Sequence, residues 1–247
     1  MADVSREGVA FDAYASQYDR DLHRGLALSG ERKDYFAQQR VRFLAGQLER
    51  AGVRPRRVLD FGCGTGTAVP HLLAMPGVEH VVGVDPSRES VAIASAANRS
   101  ARACFDTLDA LPVHKPFDLI YCNGVFHHIP PDQRPGSLRL IRGALRAGGY
   151  FSLWENNPWN PGTRWVMRRI PFDRDAVTLS VWEARRLLRG AGLTCTSSRF
   201  LFIFPRTLRW LRPLEGPLSR WPIGAQYMVL SLKGDPAPSA EAPGGLE

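Results

Sequence analysis

The stretch Val58–Gly66, which reads Val-Leu-Asp-Phe-Gly-Cys-Gly-Thr-Gly, decides how this chain folds. It predicts a buried strand that ends in a glycine-rich turn, and a second apolar run, Val81–Val84, follows and ends on Asp85. Such a strand–turn–helix–strand unit builds a nucleotide-shaped pocket at the carboxyl ends of parallel strands. Strand and helix patterns keep alternating along the chain, which predicts a doubly wound, Rossmann-like α/β fold.

The glycine spacing and a neighbouring carboxylate narrow the choice of ligand. Gly62, Gly64 and Gly66 follow the pattern G-x-G-x-G, whereas dinucleotide-binding turns follow G-x-G-x-x-G. Asp60 would repel a pyrophosphate, which needs backbone N–H groups at a helix N-terminus. The same carboxylate would favour a ligand that carries an ammonium and a sulfonium. A dinucleotide oxidoreductase and a turn without a ligand are the alternatives, and both fit these residues less well.

This arrangement resembles motif I of the class I S-adenosylmethionine-dependent methyltransferases of the small-molecule type, and the resemblance runs from Phe11 to Leu232. It implies S-adenosyl-L-methionine as the cofactor and S-adenosyl-L-homocysteine as its product. It also implies that Asp60 binds the ammonium and that Asp85 accepts the ribose hydroxyls, although Asp85 could equally cap the following helix. The cofactor-binding residues implied by the resemblance are Asp60, Gly62, Gly64, Gly66, Asp85, Pro86, Phe105, Asp106, Asn123, Tyr14 and Tyr18.

Hydrophobic periodicity predicts a seven-stranded, mostly parallel sheet with an antiparallel last strand. We expect the strands at residues 57–61, 80–84, 101–105, 117–122, 150–154, 193–204 and 225–232. The last two strands should form an antiparallel hairpin at one edge of the sheet. We expect the main helices at residues 31–50, with Ser29 as the N-cap, and at 67–75, 88–98, 135–146 and 181–190.

The chain divides into one domain and two tails. Residues 1–10 and the Pro-, Ala-, Gly- and Glu-rich residues 234–247 are expected to be disordered, and residues 11–233 form the methyltransferase domain. Residues 156–180 and 205–224 are too long for simple connections, and long loops in compact domains are usually functional. Together with residues 11–50 they predict a partly helical cap over the strand ends, where the substrate would enter.

Methyl transfer from a sulfonium needs an aligned nucleophile and, for some acceptors, a base. His127 is assigned the site-facing, catalytic role and His128 a packing role. Glu155 is the second catalytic candidate, as a base or substrate anchor, with a salt bridge to a nearby arginine as the alternative. Aromatic faces stabilise a sulfonium or stack on a flat substrate, but each such residue could equally be cap core. The candidate substrate contacts are Phe11, Trp154, Trp159, Trp165 and Tyr227.

The motifs typical of several substrate classes and site types are absent from this sequence. An N-P-P-aromatic motif, typical of DNA and RNA amino-group methyltransferases, is absent after the fourth strand, where the chain reads Tyr121–Gly124. The Pro-Cys nucleophile of cytosine-C5 enzymes is absent as well. Four widely separated cysteines form no C-x-x-C pair, so no zinc site and no disulfide framework is expected, and we expect no metal site of any kind.

Charge and hydropathy bear on partners and location. The net charge is +8 and the sequence pI about 9.8, which could indicate RNA, DNA or a lipid surface as partner. We instead interpret the basic residues as compositional, because they are scattered and no run of them is interleaved with aromatic residues. No apolar run approaches the roughly 20 residues of a membrane span, and the N-terminus lacks a signal-peptide core. A cytosolic protein is expected.

The function expected from these residues is methylation of a small, aromatic or otherwise apolar metabolite at O, N or C. Segments such as 157–161, 171–176 and 224–227 resemble a bacterial subgroup associated with secondary-metabolite and surface-polymer settings, without a settled substrate. The first alternative is a tRNA or rRNA methyltransferase, favoured by the pI. The second is a non-catalytic partner protein that only binds the cofactor. The sequence does not indicate an oligomeric state.

Overall fold

A single seven-stranded sheet organises the molecule. The computed structural model describes residues 29–111, 115–170, 173 and 176–234. The strand order is β3-β2-β1-β4-β5-β7-β6, and β7 alone runs antiparallel to its neighbours β5 and β6. This confirms the mostly parallel, doubly wound sheet and the antiparallel last strand. The strands are β1 Arg57–Phe61, β2 His80–Asp85, β3 Ala103–Thr107, β4 Phe117–Asn123, β5 Leu145–Asn156, β6 Leu193–Leu201 and β7 Gln226–Lys233.

Helices cover both faces of this sheet. Their positions follow the sequence expectation closely. The N-cap of α1 is Arg32, however, and not Ser29. The Ser29 hydroxyl accepts a hydrogen bond from the Glu31 N–H, which lies before the helix. The helix before β5 ends at Ala144, because Leu145 already pairs with Phe117 in the sheet. The helices are α1 Lys33–Arg50, α2 Val69–Leu73, α3 Arg88–Ala97, α4 Arg134–Ala144, α5 Pro161–Met167, α6 Val181–Gly190 and α7 Glu215–Leu218.

Two apolar clusters hold the helices to the sheet. On one face Leu44 and Leu48 of α1 and Leu72 of α2 pack against β1 and β4. On the other face Leu138 of α4 and Leu188 of α6 pack against β4 and β5. Parallel strands buried on both faces read as near-continuous apolar runs, which is why β1, β2 and β4 could be located from sequence.

The expected cap consists partly of helix. Helix α5, the 3₁₀ helix Arg206–Leu214 and α7 lie in the segments between β5 and α6 and between β6 and β7. Phe11, Tyr14, Tyr18 and both expected disordered tails, apart from Gly234, lie outside the described residues. Within the described ranges, no helix is long and apolar enough to cross a bilayer.

Candidate functional site

The glycine-rich turn after β1 has the backbone that its sequence demands. Gly62, Gly64 and Gly66 all have positive φ, at 75°, 51° and 76°. A Cβ at Gly62 would lie 2.3 Å from the Val125 Cγ2, so only glycine fits there. A Cβ at Gly64 would meet nothing within 4 Å, because this residue borders open cavity space. The turn therefore combines a close backbone approach on one side with room for a ligand on the other.

Asp85, at the end of β2, is anchored to the turn. One carboxylate oxygen accepts the Gly64 N–H at 2.8 Å, and the other accepts the Ser87 N–H at 3.0 Å. The N-cap of α3 is Ser87, whose hydroxyl accepts the Ser90 N–H. Each carboxylate oxygen of Asp85 has further acceptor capacity, which leaves it able to bind hydroxyl groups as well.

A cavity of about 150 Å³, here called the turn cavity, opens between the glycine turn and the loop after β4. Its lining contains five of the residues that the resemblance assigned to the cofactor. They are Gly62, Gly64, Asp85, Pro86 and Asn123, and they are joined by Leu108, Ile129, Gln133 and Ser137, which the sequence did not single out.

Phe105 and Asp106 do not reach this cavity, contrary to the expectation that they contact an adenine. Phe105 packs beside Gly83 in the apolar cluster under α1. Asp106 is exposed, and its carboxylate accepts the N–H of Thr107. Successive side chains of β3 point to opposite faces of the sheet, so Phe105 packs under α1 and Asp106 points to solvent, and Leu108, in the 3₁₀ helix Leu108–Ala110 that follows, lines the cavity instead.

Asp60 lies on the other side of the turn, in a polar cavity of about 70 Å³, here called the Asp60 cavity. Its side chain is buried, and its Oδ2 atom has no hydrogen-bond partner among the described residues. Burial, followed by the negative charge of Asp85, raises the pKa of Asp60 to about 7. A buried carboxylate that lacks a partner favours a cationic ligand group, as the sequence predicted for an ammonium.

A third and larger cavity, here called the cap cavity, has a volume of about 370 Å³. Asn123, at the end of β4, lines all three cavities, and its buried Oδ1 has no partner among the described residues. Gly124 and His128 line both the turn cavity and the cap cavity. The apolar part of the cap-cavity lining is formed by Tyr35, Phe36, Val166, Met167, Ile170, Phe202, Ile203 and Phe204.

A chain of ionisable side chains lies where the turn and cap cavities meet. Glu155, at the end of β5, accepts the Phe126 N–H at 2.7 Å and pairs with His127 Nδ1 at 2.5 Å. Asp173 lies 3.5 Å from His127 Nε2 and 3.4 Å from His128 Nε2. The alternative role of Glu155, a salt bridge to a nearby arginine, is therefore not the pairing that the structure shows, because Glu155 forms a buried pair with His127.

The two histidines differ in charge. Burial alone would lower the pKa of His127, but Glu155 and Asp173 outweigh it and raise the pKa to about 10. Burial, with help from the charge of His127, lowers the pKa of His128 to about 4. At neutral pH His127 is therefore a cation, and His128 is neutral. The side chain of His128 is also the more exposed, at 17% against 3%, but both rings line the cap cavity, as the site-facing role predicted for His127 requires.

Arg134 and Asp173 belong to this cluster and were missed in the sequence. The Arg134 guanidinium donates to the carbonyl oxygens of Phe126 and Ile129, and at 2.5 Å to that of Val177. Both residues lie in different elements from the histidines, so no local spacing reveals them. An arginine in an arginine-rich chain and an aspartate between two helices do not by themselves indicate a functional site.

His127, His128 and Asp173 could also hold a metal ion, which the sequence did not predict. One ligand atom from each residue lies within 4.8 Å of the others. Both rings approach the same Asp173 oxygen, and the charge pairing of Asp173 with His127 explains this contact equally well without a metal ion.

None of the four described aromatic candidates for substrate contact lines a cavity. Trp154 is fully buried against Phe43 in the core, and Tyr227 is fully buried with its hydroxyl donating to the Leu179 carbonyl. Both expectations are corrected, because β5 and β7 direct these side chains into the sheet faces. Trp159 is half exposed, and Trp165 stacks under the Arg169 guanidinium at 3.6 Å.

Comparison with known proteins agrees with this geometry. Residues 58–149 match a family model described as a methyltransferase domain. A tRNA U34 carboxymethyltransferase from Shewanella loihica is 30% identical over 66% of this chain and 51% of its own length. A trans-aconitate 2-methyltransferase from Mycolicibacterium gilvum is 27% identical over 74% of this chain and 80% of its own. The chain spans about half the length of the curated tRNA U34 relatives that it matches.

The fold has close solved counterparts. The structure of magnesium protoporphyrin IX methyltransferase from Synechocystis, solved with bound SAH (S-adenosylhomocysteine), superposes with a TM-score of 0.63 at 16% identity. The match covers 94% of this chain and 100% of that chain. At this identity the likeness concerns the fold.

Proposed function

We propose that this chain, whose residues 58–149 match a methyltransferase-domain family, is a class I S-adenosylmethionine-dependent methyltransferase that methylates a small, largely apolar acceptor held in the cap cavity. The observation that carries the proposal is the meeting of two cavities at Asn123, Gly124 and His128. One cavity is lined by the glycine turn and Asp85, and the other by apolar cap residues. A methyl donor in the first would face an acceptor in the second.

The residues present fit the cofactor. When bound, S-adenosylmethionine supplies a methyl group that its sulfonium makes electrophilic. Asp60, whose buried Oδ2 has no hydrogen-bond partner among the described residues, would hold the ammonium, and Asp85 would hold the ribose hydroxyls. Gly64 leaves open space where a side chain would otherwise stand. Asn123 would present its unpartnered Oδ1 at the junction where transfer takes place.

His128 is the side chain best suited to accept a proton from the acceptor. It borders both cavities, and its low pKa keeps it neutral at physiological pH. His127, the sequence's candidate, is a cation between Glu155 and Asp173 and so has no free lone pair at neutral pH. We therefore assign His127 and Glu155 a positioning role, since they fix the loop that carries His128, and Asp173 orients the His128 ring.

The acceptor class follows from the cap-cavity lining. Most of the cavity surface is apolar, and polar side chains in its wall, among them Asn156, Arg212 and Gln226, could orient a functional group of the acceptor. A volume of about 370 Å³ accommodates a small or medium-sized metabolite. Secondary metabolism as the setting and the cytosolic location stay predictions from the sequence.

The test combines cofactor binding with labelled-methyl transfer to metabolite extracts. Calorimetry should give micromolar affinity for S-adenosylhomocysteine, and extracts should yield a labelled product. Val166→Trp, which fills the cap cavity, should abolish transfer but keep cofactor binding, whereas Val177→Trp, at a half-exposed position outside the cavities, should keep both. An absence of cofactor binding in the wild type would refute the proposal.

The relationship to tRNA U34 carboxymethyltransferases favours RNA as a second candidate acceptor. Each phosphate contact would add to the dependence of binding on salt, so RNA affinity should fall steeply as salt rises. Labelled-methyl transfer to total tRNA, unaffected by Val166→Trp, would favour this candidate over a small metabolite. If the protein binds the cofactor but transfers a methyl group to no metabolite and no RNA, the result would favour the alternative of a non-catalytic, cofactor-binding partner protein.

A further inference from the structure

The residues between β6 and β7 expose an unusual share of the large apolar side chains. In residues 205–224, here called the Arg–Trp segment, Trp210 is 71% exposed and Trp221 64% exposed. Within the described ranges, five of the eight exposed large apolar side chains lie in this one segment. The 3₁₀ helix Arg206–Leu214 has no buried residue. The five are Leu208, Trp210, Leu214, Trp221 and Ile223.

The same segment is strongly basic, which corrects the interpretation that basic residues are nowhere interleaved with aromatic ones. It contains four arginines, at positions 206, 209, 212 and 220, and a single acid, Glu215. Glu215 accepts the N–H of Phe204, and Arg212 pairs inward with Glu31 at 2.9 Å. Around Arg199 the positive charges of Arg220 and Arg50 add to burial in lowering its pKa, so this part of the surface holds an excess of positive charge.

The Arg–Trp segment also borders the cap cavity. Phe204 immediately precedes the segment, and Phe204, Pro205 and Arg212 all line the cavity. The Arg206 guanidinium reaches the Gly30 carbonyl oxygen at 3.3 Å, which ties the segment to the residues before α1. An acceptor bound in the cap cavity would therefore lie directly beside this segment.

We propose that the Arg–Trp segment docks on an anionic lipid bilayer, which places the cap cavity beside the membrane and lets it take an amphiphilic acceptor from there. Tryptophan is enriched at membrane–water interfaces, and interfacial binding combines buried apolar area with attraction to anionic lipids. Leu208, Leu214 and Ile223 suit a bilayer better than RNA, because aliphatic side chains do not stack on bases. Docking itself is independent of catalysis; the entry of the acceptor rests on the proposed function.

The experiment measures cosedimentation of the full chain with vesicles of phosphatidylcholine, with and without phosphatidylglycerol. Wild type should bind the anionic vesicles at least about tenfold more strongly than the neutral ones, as expected where arginine charge contributes. Trp210→Ser combined with Trp221→Ser should weaken binding by about tenfold or more, because the interfacial anchors are lost. Arg209→Gln combined with Arg220→Gln should remove the preference for anionic lipid.

The matched control is Trp182→Ser on α6. Trp182 is 62% exposed and has the Arg185 guanidinium 6.0 Å from its ring, so it shares exposure and a neighbouring arginine with the two test positions. Its loss should leave vesicle binding unchanged. S-adenosylhomocysteine affinity should be the same in all variants, which separates a docking defect from misfolding and from failure of the proposed function.

Four results would overturn the inference. One is an absence of vesicle binding at low salt in the wild type. Another is an equal loss of binding in Trp182→Ser. The third is a stable dimer, measured by light scattering, that the Trp210→Ser and Trp221→Ser changes dissociate, because the surface would then be covered by a second copy. Salt-sensitive RNA binding that depends on these tryptophans and displaces vesicles would likewise assign the surface to RNA.

Discussion

The two sides of the candidate site are built in different ways. On the turn side, Asp60, the glycines and Asp85 lie within 26 consecutive residues, on β1, β2 and the turn between them. On the cap side, His128, Glu155 and Asp173 come from separate elements spread along the chain. On the turn side the buried Asp60 Oδ2 has no hydrogen-bond partner among the described residues, whereas the carboxylates on the cap side are already paired with histidines.

This difference implies different consequences of mutation. Removing a group on the turn side should weaken cofactor binding and leave most of the folding free energy in place. Removing one of the charged side chains that pair on the cap side should first destabilise the protein, because it leaves an uncompensated buried charge. The four predictions below test this division.

The largest effect is expected for Glu155→Gln. The change leaves the buried His127 imidazolium without its closest counter-charge, so the free energy of unfolding should fall by about 3 kcal/mol. The contribution of His127 is fully present below its unfolded pKa of 6.5 and is lost as pH rises through about 10. Denaturant unfolding should therefore show a loss of wild-type stability between pH 6.5 and 10 that is smaller in the variant.

The control is Glu79→Gln. Glu79 pairs with Arg56 at 2.7 Å, but both side chains are largely exposed and screened by solvent, so the same substitution should leave the free energy of unfolding nearly unchanged. Equal losses in Glu155→Gln and Glu79→Gln would contradict the assignment of a buried ionic chain on the cap side.

Asp85→Ala should mainly affect the cofactor. It removes the acceptor of the Gly64 and Ser87 N–H groups, which holds the turn in place, and it removes the proposed ribose contact. Cofactor affinity should therefore fall by about 100-fold, the effect of losing two hydrogen bonds from the ribose hydroxyls to a carboxylate. Asp106→Ala is the matched control, because this exposed acid lies outside the turn cavity. Calorimetry with S-adenosylhomocysteine measures both. A larger loss in Asp106→Ala would restore the adenine role that the sequence suggested for it.

The pH dependence of cofactor affinity should report on Asp60. With a pKa of about 7 in the free protein, Asp60 must lose its proton to bind an ammonium. Affinity should therefore be about tenfold weaker at pH 6 than at pH 8, since below its pKa each pH unit costs a factor of ten. Asp60→Asn should bind more weakly at high pH and lose this dependence. The same titration of Asp60→Asn corrects for protonation of the ligand itself.

The sequence predicted the sheet correctly and identified the residues of the turn from local signals, and the cofactor roles of those residues stay predictions. β1, β2 and β4 are continuous apolar runs, and the glycines and Asp85 follow from spacing along one supersecondary unit. Trp154 and Tyr227 were misassigned because the face that a strand residue occupies depends on register with neighbouring strands. Asp173 and Arg134 reach the site only through the packing of the cap and of α4, which no local pattern encodes.

The smallest effect is expected for Trp159→Ala, and it bears on whether the cap side is preformed. Trp159 is 46% exposed and lies outside the cap cavity, whereas Phe36 lines it and packs edge-on against Phe202 at 4.9 Å. For the acceptor found in the labelled-methyl screen, Phe36→Ala should raise KM by about tenfold, the effect of losing one buried aromatic contact, while Trp159→Ala should stay within about twofold. Cofactor affinity should be unchanged in both.

If Trp159→Ala proves the more harmful, the cap must close over the acceptor and bring Trp159 inward, because an indole that stays outside the cavity cannot contribute to KM. The cap side would then be assembled by its ligand, and only the turn side would be preformed.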